Sequence, residues 1–510
     1  MDSSQEPISD PQEQSASTVT VSRLRITDIP QELFEEIFSH CSPSDLRCLL
    51  TVNRRFFHTA VPLLYKKLAW RTYIRLLSDR KFRDGPRSEN YAEAVRALSL
   101  GGPPTLTRAT DWNWIEAVEA ISFFPRLQSL AIDRILVPVH SFVDLVRLFS
   151  VKRFYYRSPP MSSYDFTPCR SPKSLNPLRP SALEFLDVRR LDVPDRFGYM
   201  DAGVVSVSAL SATPTLKVLH ADFTSWRTLS RGRNSAGWSL PTSLREIVLF
   251  ARVPSNDISL DWLGTFLLDL ESCAGSLEVL RIMCPHRFTP HSNARRILDC
   301  PSLREYVGPE EIIPYIRFSP GVEVIWVPRF TPLTGAPIES LAPSLSCLSR
   351  IRLLSIGSWD CDSYPLTAIL SAFPDLEELS LTPLHTLDKV ALLKLGRALR
   401  LSPKLTDISI IGRFRSSPEE VEEVVEEEEE LPELSSVSCH HVLRSWSAES
   451  SSLSFARFSD KSSWSRASIS GPWIESAPYK NVENLLFLPT WFSSFYWQST
   501  RFGSGSVEEA

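Results

Sequence analysis

Between residues 25 and 68 the apolar positions come in steps of three and four. Ile29, Leu33 and Ile37 lie four apart with Phe34 and Phe38 beside them, and that spacing predicts an amphipathic helix with a broad apolar face. Pro30 suits the first turn of this helix, where its missing N–H costs nothing. A second start follows at Ser42-Pro43-Ser44-Asp45, which supplies a cap, a proline at the first helical position and a capping-box acid. Leu46, Leu49 and Leu50 continue that helix. A third is expected through "NRRFFHTAVP", burying Phe56, Phe57 and Ala60 until Pro62 restarts the chain into "LLYKKLAW". Three helices this short cannot all turn their apolar residues inward, and a unit of this size is marginal alone. The leftover apolar stripe predicts an interface.

Farther along, the period changes. A turn residue, often Pro, precedes L-x-x-L-x-L in "FPRLQSLAI" (124–132), "PSALEFLDV" (180–188), "TPTLKVLHA" (213–221), "PTSLREIVL" (241–249) and "AGSLEVLRI" (274–282). The phrase returns in "CPSLREYV" (300–307), "SPGVEVIWV" (319–327), "LSRIRLL" (348–354), "FPDLEELSL" (373–381) and "SPKLTDISI" (402–410). From Leu183 onward the copies are 19 to 33 residues apart, and helix-length amphipathic stretches such as 111–124, 259–272 and 389–400 lie between many of them. Strand, turn and helix repeating at about 28 residues is the pattern of a leucine-rich-repeat solenoid. Its parallel strands would line a concave face and its helices a convex one. The Asn or Cys that usually follows the phrase is missing, its place taken by Ile135, Leu191, Thr224 and Pro285, so the usual ladder of side-chain hydrogen bonds is in doubt. "SVKRFYYRS" (150–158) reads as one further strand. The expected fold class is α/β: a short all-α unit, then an irregular leucine-rich-repeat-like solenoid of parallel strands.

The segment "IPQELFEEIFSHCSPSDLRCLLTVNRRFFHTAVPLLYKKL" resembles an F-box, whose pattern is Leu-Pro-x-Glu, then Ile, then Leu, Leu and Val-x-(Arg/Lys)-x-(Trp/Phe). Ile29 replaces the first Leu, and Phe56 or Phe57 stands where Trp is common. The resemblance implies docking on the Skp-type adaptor of an SCF-type cullin-RING ubiquitin ligase, through Ile29, Pro30, Leu33, Ile37, Leu46, Leu49 and Val52. Together with the repeat, it implies the F-box/leucine-rich-repeat class of ubiquitin-ligase receptors, and a protein-binding role in ubiquitin-dependent degradation. The alternative is a non-degradative scaffold that uses the same docking. Neither needs an active centre in this chain.

In each strand phrase the leucines point to the core, so the residue between the last two faces the concave side. That column reads Ala131, Asp187, His220, Val248, Arg281, Val307, Trp326, Arg352, Ser380 and Ser409. Trp and Arg dominate many binding interfaces, so Arg281, Trp326 and Arg352 are the candidate target-binding residues.

Composition adds limits. The net charge of −5 hides ten glutamates within 419–433. The rest is only mildly basic, which does not indicate nucleic-acid binding. Nine scattered cysteines in 510 residues read as reduced, mostly buried thiols of a cytoplasmic or nuclear protein. The acidic, polar N-terminus is unlike a secretory signal, and no apolar run is long enough to span a membrane. Neither a phosphate-binding loop nor a hydrolase or metalloprotease motif occurs. Cys284, His286, His291 and Cys300 are too loosely spaced for a usual zinc site, so no cofactor and no metal are expected. The expected organisation is a tail (1–23), the F-box (24–68) and the solenoid (69–411) with a Pro/Ser-rich loop (157–180). An acidic insertion (412–435) and a Ser- and Trp-rich segment (436–510) with a possible last strand at 482–492 complete it.

Overall fold

In the computed structural model, the described residues are 29–70, 88–101, 120–133, 145, 150–158, 182–190, 213–222, 240–250, 267–283, 297–327, 348, 350–359, 366–383, 387, 389–410, 436–458, 463–468 and 470–476. The tail, most of the loop 157–180, the acidic insertion and 482–492 lie outside them. The chain divides into two compact units, Met1–Lys66 and Lys67–Ala510.

The first unit holds three helices: α1 (Gln31–Ser39), α2 (Pro43–Leu49) and α3 (Arg54–Tyr65). The capping box forms as expected. Ser42 Oγ accepts the Asp45 amide at 3.2 Å, and the Ser42 amide donates to the Asp45 carboxylate at 3.2 Å. Asn53 caps α3 by accepting the Phe56 amide at 2.8 Å. One expectation fails: α3 continues through Pro62 instead of stopping there. The missing proline N–H leaves the carbonyl of His58 unpaired within the helix, and both residues are exposed, where water can serve it.

The second unit is built on a sheet of sixteen strands. Its first half contains β1 (Lys67–Trp70), β2 (Ala97–Gly101), β3 (Ser129–Asp133), β4 (Arg153–Ser158), β5 (Phe185–Arg190), β6 (Val218–Asp222), β7 (Glu246–Phe250) and β8 (Val279–Met283). After the short strand β9 (Leu298–Cys300) come β10 (Glu305–Val307), β11 (Ile316–Phe318), β12 (Val324–Trp326), β13 (Leu353–Trp359), β14 (Glu378–Pro383), β15 (Asp407–Ile410) and β16 (Phe455–Arg457). Every main-sheet neighbour pair from β1 to β16 is parallel and in chain order, while β9 and β11 pair separately. All ten phrases, and 150–158, supply a strand. This is an α/β leucine-rich-repeat-like solenoid.

The phrase works because its three apolar positions share one side of the rung. Leu244, Ile247 and Leu249 of one rung and Leu277, Leu280 and Ile282 of the next are each at most 1% exposed. Two successive amides in each rung donate to one carbonyl of the rung before, as Lys217 and Val218 do to Glu184 at 2.9 and 3.1 Å. The ladder that the absent Asn would supply has a substitute at the start of the phrase. There, Thr215 donates to the Leu183 carbonyl (2.9 Å), Ser243 to Leu216 (2.8 Å), Ser276 to Leu244 (2.8 Å) and Ser452 to Leu405 (2.8 Å).

Where only 19 residues separate Leu303 from Val322, the connection is a 3-10 turn (Glu310–Tyr315) and the strand β11. Tyr306 fills this thin rung, fully buried, and its hydroxyl donates to the Pro309 carbonyl at 2.6 Å. A β carbon at Gly308 would sit 2.8 Å from that hydroxyl, so glycine is required.

The solenoid runs past residue 411, contrary to expectation. Helix α4 (Ser88–Ala94) lies near its start, and α5 (Leu366–Ala372) and α6 (Lys389–Gly396) follow β13 and β14. Helix α7 (Ser436–Glu449) then leads into β16, which still pairs parallel with β15. Only after it do β17 (Ser463–Ser465) and β18 (Ile474–Ser476) add antiparallel strands. Trp446 on α7 is fully buried, its indole N–H donates to the Leu392 carbonyl at 2.8 Å, and any β carbon at Gly396 would strike its ring. Arg466 donates to the Ser450 and Ser451 carbonyls at 3.2 and 3.0 Å and stacks 5.3 Å from the Trp473 ring.

Candidate interaction surfaces

On α1 the apolar residues separate into two faces. Phe34 and Phe38, each 4% exposed, join Leu46 and Ala60 in the core of the helical unit, with Ile29, Leu49, Leu50 and Phe56 packed partly against them. The Phe56 ring lies 5.2 Å from both Phe34 and Phe38. Arg55 stacks over Phe34, 4.7 Å from the ring centroid, and its guanidinium donates to the Ile29 carbonyl. Gln31 donates to the Thr59 hydroxyl at 2.6 Å, tying α1 to α3.

Leu33, Ile37 and Val52 point the other way and are 52%, 55% and 58% exposed. Each leaves about half of its side chain to bury, worth roughly 1 kcal/mol apiece on an apolar partner. Pro30 is also exposed, and Ile29 and Leu49 are half-buried. Leu46 is a correction to the expected docking set. It is 6% exposed and belongs to the unit's own core, because α2 is a single short helix with one inward face.

The second surface is the side of the sheet opposite the leucine core. Strand alternation puts two residues per rung on it, for example Glu246 and Val248 of β7 or Glu378 and Ser380 of β14. The register places Asp187, His220, Val248, Arg281, Val307, Trp326, Ser355, Ser380, Ser409 and Arg457 in one row. Arg281 and Trp326 therefore stand where the sequence put them, two rungs apart with Val307 between.

Arg352 does not. Trp326 pairs with Ser355, and Arg352 precedes β13 at the strand's entry edge. Leu348, Ile351 and Leu353 imitate the phrase three residues early, whereas the buried set is Ile351, Leu354 and Ile356. At that edge Arg352 makes a two-pronged ion pair with Glu377, at 2.9 and 2.6 Å. The Glu377 carboxyl is held below its usual range by the hydrogen bond and charge of Arg352. Similar edge pairs join Glu184 to Lys152 and Lys217, and Arg245 to Glu278.

A charged chain crosses the middle of the second face. His220, 5% exposed, has Nδ1 3.7 Å from the Asp187 carboxylate and Nε2 3.2 Å from that of Glu246. Burial opposes charge on the imidazole, but the two flanking carboxylates outweigh it, and its pKa is raised. Arg281 pairs with Glu305 at 2.5 Å. Trp326 is half-buried against Val248, Met283 and Val307. The sequence picked out Arg281 as a ligand contact, but it missed the acids that already engage it.

Of the cysteines, Cys273 and Cys300 are buried and their thiols are pushed up to about 12 by that burial, which makes them unreactive. Cys439 is buried too, but Cys48 is exposed and Cys41 half-buried, and none of the five described cysteines is in a disulfide. Among the described residues no group of His, Cys, Asp and Glu could hold a metal. No described helix is long and apolar enough to cross a membrane.

No family model and no curated protein matches the chain. Solved structures do. The leucine-rich-repeat-containing protein LegL7 from Legionella pneumophila is 12% identical over 75% of this chain and 98% of its own, with a TM-score of 0.32. A chain of the yeast Rad7 and Elc1 complex is 14% identical over 83% of this chain and 87% of its own, at 0.36. The internalin inlF of Listeria monocytogenes is 11% identical over 74% and 87%, at 0.31. The repeat architecture of this chain rests on its own strand order and register.

Proposed function

We propose that this protein is the substrate-recognition subunit of an SCF-type cullin-RING ubiquitin ligase. The helical unit docks on the Skp-type adaptor, the solenoid holds a target protein, and proximity to the transfer machinery raises the effective concentration of the target. The chain contributes no catalytic group in this reading, and it works in the cytoplasm or nucleus. One observation carries it: Leu33, Ile37 and Val52 stay more than half exposed while Phe34 and Phe38 are 4% exposed. A small helical unit that leaves three large apolar side chains outside on one stripe is built for a partner. The contact set is then Ile29, Pro30, Leu33, Ile37, Leu49 and Val52.

The test is co-expression of the full chain with a Skp-type adaptor. Wild type should co-purify with it, and Leu33→Glu with Ile37→Glu should not, while circular dichroism stays unchanged because neither residue is in the core. Failure of the wild-type chain to co-purify would overturn the reading.

A further inference from the structure

We propose that the second face of the sheet from β12 to β16 receives a basic, partly apolar segment of the bound protein. This rests on the receptor reading for the partner being a target. On this face the row Val324, Leu353, Glu378, Asp407 and Phe455 runs beside the row Trp326, Ser355, Ser380, Ser409 and Arg457. Two carboxylates are thus flanked by apolar side chains at both ends and by three small hydroxyl residues along one side. The serines keep the floor low next to Trp326, which packs half-buried against Val307 and Met283.

In these two rows the acids Glu378 and Asp407 outnumber the cation Arg457. Glu378 and Asp407 are direct register partners on adjacent strands, about 4.8 Å apart at the backbone. Burial and the Asp407 charge raise the Glu378 pKa, and burial raises that of Asp407. The cation nearest Glu378, Arg352, is committed to Glu377 at the strand edge, and Lys404 is committed to Asp375 at 2.7 Å. Asp407 accepts only the Thr406 hydroxyl, at 2.5 Å. No cation among the described residues forms an ion pair with either acid. Elsewhere on the same face the carboxylates are answered, Glu305 by Arg281 and Glu246 by His220. A Lys or Arg from the partner completes the pattern here: its charge meets Glu378 and Asp407, while its alkyl stem and the apolar residues beside it in the segment lie on Leu353 and Trp326. A negatively charged partner such as nucleic acid is repelled by the same pair.

The full chain should be titrated with a labelled nonapeptide alternating Lys and Leu, and with its counterpart carrying Glu for Lys. The basic peptide should bind wild type, weaken about tenfold in E378Q/D407N, weaken also in W326A, and bind a control variant, E89Q/E93Q, as well as wild type. The acidic peptide should not bind. Because E378Q/D407N removes mutual repulsion, it should melt no lower than wild type, so loss of binding cannot be blamed on unfolding. Equal affinity of wild type and E378Q/D407N, or no binding of the basic peptide by wild type, overturns the inference. Adaptor co-purification from the same preparations separates the two ideas. An adaptor-bound chain indifferent to E378Q/D407N sinks this inference alone, and a chain that ignores the adaptor sinks the ligase reading alone.

Discussion

The helical unit and the solenoid solve the burial problem in opposite ways. In the first, one cluster of Phe34, Phe38, Leu46 and Ala60 with half-buried neighbours is drawn from three helices within forty residues. It runs out of interior before it runs out of apolar side chains, so Leu33, Ile37 and Val52 remain outside. In the second, each rung buries its own three apolar residues against the next rung, and added rungs lengthen the core without widening it. Its large side chains are almost all inside, and what its second face offers is mostly polar: an imidazole, carboxylates, serines and one half-buried indole. The first region is suited to a greasy, general docking contact. The second is suited to discrimination, since unmatched charge there rejects the wrong partner.

The sharpest way to break this comparison is at the solenoid's far end, where one large side chain, Trp446, ties α7 to α6. Trp446→Ala removes a fully buried indole and its hydrogen bond to Leu392, and should cost about 3–5 kcal/mol. Denaturant unfolding should show the solenoid transition moved and the helical unit's signal unchanged. A substitution of Gly396 by Ala, which drives a methyl into that indole, should act in the same direction.

A matched pair in the helical unit comes next. Phe34→Ala should cost about 3 kcal/mol, enough to leave so small a unit substantially unfolded by hydrogen exchange. The adjacent Leu33→Ala should change stability by less than about 0.5 kcal/mol, yet weaken capture of the adaptor. If Leu33→Ala unfolded the unit instead, its exposed face would be core after all.

These neighbours also show what was legible in the sequence. The helices and the cap of α2 could be read because the signals are local: Ser42, Pro43 and Asp45 act within three residues of their own position. Which of two adjacent apolar residues faces inward was not, since Leu46 looked as available as Leu49 until α2 had packed. The strands could be read wherever three large apolar residues kept the phrase. Strand β2 was missed although Val95, Leu98 and Leu100 keep the spacing, because no turn residue precedes Val95. Strand β16 was missed because Ala456 stands at its centre. Arg352 was misplaced because Leu348 offered a false first position. Pairings across rungs, such as His220 with Glu246, join residues 26 apart in the chain and leave no trace in any one phrase.

A smaller effect probes the substitute ladder that lets rungs stack without asparagine. The Ser276 hydroxyl lies within hydrogen-bond reach of the Thr242, Leu244 and Cys273 carbonyls, at 2.6, 2.8 and 3.0 Å. Its single proton serves one at a time, so Ser276→Ala should cost about 1 kcal/mol, read from the solenoid's denaturation midpoint. Ser276→Thr, which keeps the hydroxyl, should recover most of it. An unchanged midpoint in Ser276→Ala would mean that the backbone amides hold the rungs unaided.

The gentlest probe is pH, and it addresses the polar character of the second face directly. His220 is buried, which by itself disfavours its charge, but Asp187 and Glu246 on either side hold the proton and raise its pKa. Tyr155, above its own usual range through burial, and Arg281 also border this group. An unfolded histidine titrates near about 6.5, and the folded one titrates higher. The stabilisation is therefore fully present below that value and is lost as pH rises through the folded pKa. Glu246, held low by His220 despite its burial, keeps its charge throughout that window. Wild type should thus become less stable to urea as pH is raised from slightly acid to mildly alkaline. His220→Gln should be less stable at the acid end and nearly flat across the same range. A wild-type curve that rises with pH instead would show that the imidazole is neutral in the fold, and that the face is held by packing of the His220 ring on Phe185, 5.0 Å away, and not by charge.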